Sequence, residues 1–366
     1  MFATLGTDIV MRFLPLEWFT FRAWEAYKLD RAPSSAFVPN VRYHSSAVYG
    51  DLAALGNLPS LREYRPEVFT TDQFGFRNLP RDWAVASPAA LLIGSSFSVG
   101  PGMTDEQTLG RQLTEIDGRL VYNASGYFDE ISVARIRTMA RATGMQSGTV
   151  ILEYVERFDL PPPGRTSGGC GAGYPTACTP AHELIARFRG ISQISPFQIL
   201  IERGLKSLQN DVVLPNRYSG RVVQSQLTNG ATMLFLPEEV TRFERLQRGH
   251  QTATNMGGEY LRALADQLAD NGFDLIVLLV PNKYTVYRPF ISDLQHVAND
   301  AQPYLLSLED RLRALNVRVV NLTRVFQIQA ASDLQQSKYI YWRDDTHWNP
   351  RGIHLAATEL QRAWPR

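Results

Sequence analysis

The sequence predicts an α/β protein in which helices cover both faces of a parallel sheet. Two observations support this class. From about residue 85 onward, short apolar runs alternate with stretches of helical pattern, as in folds built from strand–helix repeats. Within that region residues 275–280 are all apolar, which is typical of a strand covered on both faces.

The elements of this pattern can be assigned in chain order. Each predicted strand is a short run rich in apolar residues, and the five runs are 89–93, 119–122, 148–154, 274–280 and 317–321. Each predicted helix follows or separates these strands, and the five helices are 108–116, 131–143, 260–269, 303–315 and 351–364. The third helix is followed by Asn271-Gly272, a pair that commonly ends helices.

Two regions interrupt the alternation. Residues 1–84 are rich in turns and aromatic side chains and predict an N-terminal extension packed on the core, so that the main domain is 85–366. Residues 160–250 form a long insertion in that domain, and such insertions are usually functional loops or subdomains. No run of about 18 apolar residues is present, so the sequence predicts no bilayer-spanning helix.

Composition and charge exclude several classes of protein. The 366 residues are 44% hydrophobic and 20% charged, which is ordinary for a globular protein and excludes a disordered or low-complexity chain. The 37 Lys and Arg residues nearly balance the 36 Asp and Glu residues, which leaves a net charge of +1. This balance argues against a nucleic-acid partner that contacts the whole protein.

The two cysteines, Cys170 and Cys178, lie in one loop rich in glycine and proline. Their closeness predicts a local disulfide, which would place the protein in an oxidising compartment such as the periplasm. Two unrelated free thiols in a cytosolic loop are the alternative. A zinc site is poorly supported because no second ligand pair of the usual spacing lies nearby.

The first candidate catalytic residue is Ser96, which follows the first predicted strand in the sequence Gly94-Ser95-Ser96-Phe97-Ser98. Open α/β sheets place their active sites at the carboxyl ends of their strands. A helix beginning here would point its first amides at the serine, where they could hold an oxyanion. Ser95 and Ser98 are the alternative nucleophiles.

A base for this serine is available near the C-terminus. His347 is preceded on one loop by Asp344 and Asp345. A serine nucleophile needs a base to take its proton, and the base needs a carboxylate to orient it. An aspartate two or three residues before the histidine can supply that pair. A structural histidine in an acidic helix-capping loop is the alternative.

Together the two motifs resemble those of the SGNH hydrolase superfamily. Residues 345–349, Asp-Thr-His-Trp-Asn, are similar in particular to the SGNH-like acetyltransferases of the alginate O-acetylation type, which modify bacterial exopolysaccharides. Residues 72–78 look like the Asp-x-x-Gly-Phe-Arg-Asn segment upstream of such domains. Residues 152–157 look like the family's Glu-Arg strand end, and 280–287 like its Pro-x-Lys segment. The resemblance covers roughly residues 70–364, with 160–250 poorly matched.

The sequence also departs from the family pattern. Typical members carry Gly-Asp-Ser, where this chain has Ser95 in place of the aspartate. They also carry a Gly-x-Asn-Asp block at the third strand, where this chain has Glu153, Glu156 and Arg157. The alginate proteins themselves have the Asp-His pair ahead of the serine. The chain is therefore expected in a related group.

The resemblance implies a three-layer α/β/α domain and an acyl-enzyme mechanism. Ser96 would be the nucleophile, His347 the base, and Asp345 the residue that orients it. The spacing Asp-x-x-His of typical members selects Asp344 instead, whereas Asp-Thr-His-Trp selects Asp345, which we favour. The amides of Ser96 and Gly126 would hold the oxyanion. No metal or other cofactor is implied.

The resemblance further implies a polysaccharide or oligosaccharide acceptor and an acetyl donor, which a membrane-bound O-acyltransferase could supply. The implied location is the periplasm, in free form or anchored to the membrane. The candidate substrate-binding residues are Tyr127, Tyr154, Arg157 and Trp348. For a polymer we expect a long groove over Ser96, framed by the insertion and the N-terminal extension, with Tyr174 as a further aromatic platform.

Two alternatives stay open at this point. A carbohydrate acetyl esterase would use the same three residues with water as the acceptor. A non-catalytic polysaccharide-binding protein is favoured by the missing Gly-x-Asn-Asp block and by the missing aspartate before Ser96. The presence of Ser96, Asp345 and His347 argues against the second alternative.

Overall fold

The computed structural model describes residues 36–79, 87–126, 133–160, 221–294 and 303–365, with seven isolated positions outside these ranges and only the backbone of 247–250. Several predictions fall outside the described residues. These are the Cys170–Cys178 disulfide and the substrate-binding roles of Tyr127 and Tyr174. Among the described helices, none has the length and apolar character needed to cross a bilayer.

Nine strands form three sheets in the described part of the chain. They are β1 (Arg42–Val48), β2 (Arg65–Thr70), β3 (Ala90–Ile93), β4 (Val121–Asn123), β5 (Gly148–Val155), β6 (Val223–Gln226), β7 (Thr232–Phe235), β8 (Phe273–Val280) and β9 (Arg318–Asn321). The central sheet has the order β4-β3-β5-β8-β9, and all its strands are parallel. The chain adds β4 on one side of β3 and then crosses over to add β5 on the other side. The switch point of the sheet therefore lies between β3 and β5, and open α/β sheets bind their ligands at such a point.

Nine α-helices accompany these strands in the same part of the chain. They are α1 (Asp51–Leu55), α2 (Ser96–Val99), α3 (Leu109–Asp117), α4 (Val133–Ala142), α5 (Pro237–Ala269), α6 (Lys283–Tyr287), α7 (Tyr304–Ala314), α8 (Thr323–Leu334) and α9 (Pro350–Ala363). Helices α3 and α9 pack together on one face of the central sheet, and α5 and α7 pack together on the other.

Alternating side chains of the central strands feed two separate hydrophobic cores. Leu92 and Ile151 pack into the core that contains α3 and α9. Leu91 and Val150, one position earlier on the same strands, pack into the core with α5 and α7. Because successive strand side chains point to opposite faces, the continuous apolar runs fill both layers. The predicted three-layer α/β/α class is confirmed.

The five predicted strands all lie within about two residues of observed strands of the central sheet. The helix predicted at 260–269 is much longer, because α5 begins at Pro237 with Glu238 and Glu239 in its first turn. Both features favour a helix start. Helix α8 was not predicted at all. Its apolar and polar residues are not segregated along one face, so the sequence shows little helical periodicity.

The N-terminal region and the insertion each contribute an antiparallel hairpin. Strand β1 pairs with β2, and α1 lies in the connection between them. Strand β6 pairs with β7 near the end of the predicted insertion. The segment from β1 to β2, residues 42–70, is called the 42–70 segment below. It lies against the loop that carries His347, with the Ala53 amide donating to the Asp344 carbonyl at 3.0 Å.

Candidate active site

Ser96 is the first residue of α2, at the carboxyl end of the central strand β3. Ser95 caps this helix, because its side chain accepts a hydrogen bond from the Phe97 amide. Gly94 permits the tight turn. A Cβ on Gly94 would lie 2.6 Å from Glu153 Oε2, so any side chain here would displace that carboxylate. The turn therefore brings the serine to the switch point of the sheet.

Glu153 on β5 holds the turn from below. Its Oε1 accepts hydrogen bonds from the Ser95 amide at 3.2 Å and from Ser95 Oγ at 2.7 Å. Its Oε2 accepts from the Ser98 amide at 2.7 Å and from Ser98 Oγ at 2.5 Å. Burial raises the pKa of Glu153, and the bonds from Ser98 and Ser95 act against this. Both alternative nucleophiles are thus bonded to Glu153.

His347 is held between Ser96 and Asp345. His347 Nε2 lies 2.8 Å from Ser96 Oγ, and His347 Nδ1 lies 2.7 Å from Asp345 Oδ1. The His347 amide also donates to Asp345 Oδ1, at 3.1 Å. The ring stands against Phe97, with 4.8 Å between the ring centroids. All three polar side chains are buried, with Ser96 only 8% exposed.

The loop that carries His347 and Asp345, residues 342–347, is called the Asp-His loop. An antiparallel bridge between Tyr341 and Trp348 closes it, and the Trp342 amide donates to the His347 carbonyl at 3.2 Å. Lys283 at the start of α6 lies beneath the loop, and its Nζ donates to the Asp345 carbonyl at 2.6 Å. The same ammonium reaches the carbonyls of residues 342 and 343 at 3.2 and 3.4 Å.

Asp344 has a different role from Asp345. Its Oδ2 accepts from the amides of Gly50 at 2.6 Å and Glu63 at 2.9 Å, and its Oδ1 accepts from Arg65. Burial raises the pKa of Asp344, against the lowering effect of Arg65. A Cβ on Gly50 would lie 1.9 Å from the Asp344 carbonyl oxygen, so this contact requires glycine. Asp344 therefore joins the Asp-His loop to the 42–70 segment and does not contact His347.

Asp51 of the 42–70 segment lies near the same histidine. It accepts from the Thr346 amide and from Thr346 Oγ1, both at 2.8 Å, and its Oδ2 lies 3.8 Å from His347 Nδ1. Ligand atoms of Asp51, Asp345 and His347 lie within 4.8 Å of one another. The Nδ1–Oδ1 distance of 2.7 Å is that of a hydrogen bond, which engages the nitrogen that a metal would need.

Arg157 lies just after β5, beside Phe97 and the Asp-His loop. Its Nη2 pairs with Glu239 Oε1 at 2.8 Å and donates to the Thr346 carbonyl at 3.3 Å. The guanidinium carbon lies 4.8 Å from the Phe97 ring centroid. Burial raises the pKa of Glu239, and Arg157 and Lys283 lower it. Arg157 is thus an ion-paired residue at the edge of the site.

Three sequence predictions need correction. Trp348 is fully buried and donates from Nε1 to the Phe97 carbonyl at 2.9 Å, so it supports the Ser96 helix and is not a sugar platform. Tyr154 is buried, with its hydroxyl donating to the Phe158 carbonyl at 2.8 Å. The Gly126 amide donates to the Gly94 carbonyl at 3.1 Å, so this hydrogen is already engaged and is not directed at an oxyanion.

Sequence reasoning missed several polar residues that contact the Asp-His loop but lie far from it along the chain. Arg65 and Asp51 precede their partners in the loop by 280 and 295 residues, and no spacing in the sequence connects them with it. Lys283 lay in a segment matched to the family, but its contacts with the loop carbonyls could not be inferred. The sequence feature that could have identified Lys283 is its position as an ionisable residue within a run otherwise suited to burial.

Comparison with known proteins gives one family match. Residues 234–366 match the model of an SGNH hydrolase-like domain described as acetyltransferase AlgX. This segment contains Asp345 and His347, whereas Ser96 precedes it. No curated protein sequence matches the chain.

Two solved structures are similar in outline. A putative SGNH hydrolase from Slackia heliotrinireducens has 10% sequence identity and a TM-score of 0.34, and the match covers 76% of this chain and 99% of that one. The YXIM protein from Bacillus subtilis has 12% identity and a TM-score of 0.35, with 82% of this chain and 68% of that one covered.

Proposed function

We propose that this chain, whose residues 234–366 match an SGNH hydrolase-like domain of the AlgX type, belongs with those proteins and is an O-acetyltransferase acting on a bacterial polysaccharide. The observation that carries the proposal is the continuous hydrogen-bonded series from Ser96 through His347 to Asp345, at 2.8 and 2.7 Å. This series is the arrangement by which a serine hydroxyl becomes a nucleophile.

In the first half of the reaction Ser96 Oγ attacks the carbonyl carbon of an acetyl ester donor. His347 Nε2 takes the Ser96 proton, and Asp345 holds the ring and stabilises the imidazolium from the Nδ1 side. The Ser96 amide is the proposed donor to the oxyanion. When the tetrahedral intermediate collapses, the bond to the donor oxygen breaks and His347 returns the proton to that oxygen. Ser96 is left acetylated.

In the second half a sugar hydroxyl enters. His347 takes its proton, the sugar oxygen attacks the acetyl carbon, and the Ser96–acetyl bond breaks as the proton returns to Ser96 Oγ. Water in place of the sugar would give free acetate, which is the esterase outcome. The AlgX-type match and the Asp-Thr-His-Trp sequence favour the sugar.

Comparing serine substitutions tests the nucleophile. Ser96→Ala should lower turnover of a chromogenic acetyl ester by several orders of magnitude, on the order of the roughly 10⁶-fold effect of such deletions. Ser95→Ala and Ser98→Ala are matched controls, because those hydroxyls bond Glu153 rather than His347. Both controls should retain measurable turnover. Equal losses in all three variants would point to a collapsed turn and would contradict a specific role for Ser96.

Acceptor dependence separates the transferase from the esterase. With an acetyl donor present, added oligosaccharides should become acetylated and donor consumption should rise, across a panel of bacterial polysaccharide fragments. The same donor loss with and without saccharide, and release of free acetate alone, would make the protein an esterase. A protein that binds saccharide without consuming any donor would be the non-catalytic alternative, which the intact Ser96–His347–Asp345 series disfavours.

We further propose that the protein acts in the periplasm, either free or membrane-anchored, where a membrane-bound O-acyltransferase would supply acetyl groups. The basis is the predicted Cys170–Cys178 disulfide together with an exopolysaccharide acceptor. Thiol labelling of the unreduced protein tests this. Blocked thiols that become available only after reduction support it, and two free thiols contradict it.

A further inference from the structure

We propose that Arg65 is a positioning residue of the active site, which fixes Asp345 against His347 by bridging Asp344 and Asp345. The inference rests on the proposed function, since it assigns a residue from the 42–70 segment to the same acyl-transfer site. Arg65 lies on β2, outside the segment matched to the family model and outside every motif named in the sequence.

The contacts are those of a forked guanidinium shared by two carboxylates. Arg65 Nη1 lies 2.8 Å from Asp344 Oδ1, and Nη2 lies 2.7 Å from Asp345 Oδ2. Arg65 Nη1 also donates to the Glu63 carbonyl at 2.8 Å. The guanidinium carbon lies 4.2 Å from the Trp342 ring centroid, so the guanidinium also contacts an aromatic ring of the loop.

Burial favours this contact, although Asp344 also accepts from two backbone amides and Asp345 Oδ2 from the Asp51 amide at 3.4 Å. Asp344 and Asp345 are adjacent and both fully buried, and Arg65 is only 5% exposed. Two neighbouring buried carboxylates repel each other, and each needs a donor or a positive charge in place of water. Asp345 uses Oδ1 for the two N–H groups of His347, so Arg65 acts on the other oxygen. The carboxylate plane is thereby fixed while its His-facing oxygen stays available.

Other charged residues also lie near the Asp345–His347 pair. They are Asp51, Asp344, Lys283, Arg157 and Glu239. Lys283 donates to a carbonyl of the loop rather than to the Asp345 carboxylate, and Arg157 pairs with Glu239. Among the described ion pairs, the one between Arg65 and Asp345 joins a guanidinium directly to the carboxylate that faces His347.

Arg65→Met and Arg65→Lys test the proposal. Lysine keeps the charge but offers one nitrogen, which cannot occupy both fork positions. Arg119→Met is a matched control: Arg119 also forks onto an aspartate and lies 3.8 Å from a tryptophan ring centroid, but it is located before β4 at the opposite end of the sheet. Turnover of an acetyl ester is measured together with the low-field NMR signal of the His347 Nδ1 proton.

We expect Arg65→Met to lower kcat on the order of 100-fold with little change in KM, as misplaced catalytic groups do. The His347 Nδ1 proton signal should shift or disappear. Arg65→Lys should show a smaller kcat loss, and Arg119→Met should leave both readouts as in the wild type. If a folded Arg65→Lys or Arg65→Met protein keeps the wild-type kcat and proton signal, the positioning role is refuted.

The two readouts keep this inference distinct from the proposed function. If the wild type turns over no acetyl donor, the proposed function fails, yet the Nδ1 proton signal still reports whether Arg65 orients Asp345. If the wild type is active and Arg65→Met fails to fold, Arg65→Lys decides: an unchanged signal and kcat overturns the proposal, and a change in both supports it.

Discussion

Replacing Glu153 with glutamine should remove one of the hydrogen bonds that hold the turn carrying Ser96. The carboxylate accepts two backbone N–H groups, one on each oxygen, from Ser95 and Ser98. A glutamine has one accepting oxygen, so one of these amides faces an NH2 group whichever way the side chain is placed. A protonated Glu153 would also accept from both amides, because the OH oxygen of a carboxyl group can still accept a hydrogen bond. The substitution therefore removes one acceptor in either protonation state of Glu153. The serine hydroxyls can rotate, but a backbone N–H cannot.

The expected cost is that of one buried amide without an acceptor, about 1–3 kcal/mol in the free energy of unfolding. Turnover of an acetyl ester should fall by about tenfold or more because the turn positions Ser96 Oγ. Urea denaturation and steady-state kinetics measure the two effects. Glu156→Gln is the matched control for stability near pH 4, where burial keeps both carboxyl groups protonated in the folded protein and neither substitution removes a charge. Glu156 accepts from Asn282 and Thr285 through one oxygen that glutamine retains, so this control should lose no stability. An unchanged unfolding free energy and turnover in Glu153→Gln would refute the reasoning.

Three further predictions concern buried charges. Burial raises the pKa of Glu156 to about 7 from 4.5. The folded protein therefore binds more protons than the unfolded chain between these pH values and loses up to about 3 kcal/mol as pH rises through them. Glu156→Gln should remove that loss, so it should stabilise the protein near pH 8 but not near pH 4; urea titrations giving equal effects at both would contradict this. Lys283→Met should lower kcat more than it changes KM. Because burial lowers the pKa of Lys283 to about 8, the kcat of the wild type should decline above that pH. A kcat that stays constant into strong alkali would contradict this. Asp345→Asn should lower kcat by up to about 10⁴-fold and Asp344→Asn by much less, because of these two residues only Asp345 contacts His347. Equal losses of kcat in the two variants would exclude Asp345 as the residue that orients His347.

The sequence was sufficient for the sheet and for the three residues of the hydrogen-bonded series. Strand β8 could be predicted because its apolar run has few structural alternatives, and the serine and histidine could be paired because their chemistry requires each other. Helix α8 lacked clear periodicity, and α5 begins at Pro237, inside the region that the sequence indicated as an insertion.

Residues that would face a substrate were harder to predict than the hydrogen-bonded series of Ser96, His347 and Asp345. An aromatic residue beside such a histidine has the same sequence pattern whether it faces a sugar or the core, and Trp348 proved to be fully buried. The contribution of Arg65 depends on a hairpin that folds back over the Asp-His loop. Long-range packing of that kind leaves no local pattern in the sequence.

The acetylated serine itself provides the most direct test of the central claim. The protein is mixed with an acetyl ester donor, quenched in acid during turnover, digested and mapped by mass spectrometry. If Ser96 is the nucleophile, a single acetyl group is expected on the peptide containing Ser96, absent in Ser96→Ala and strongly reduced in His347→Ala. Product formation with no acetyl group on Ser96, or with the group on another residue, would contradict the account.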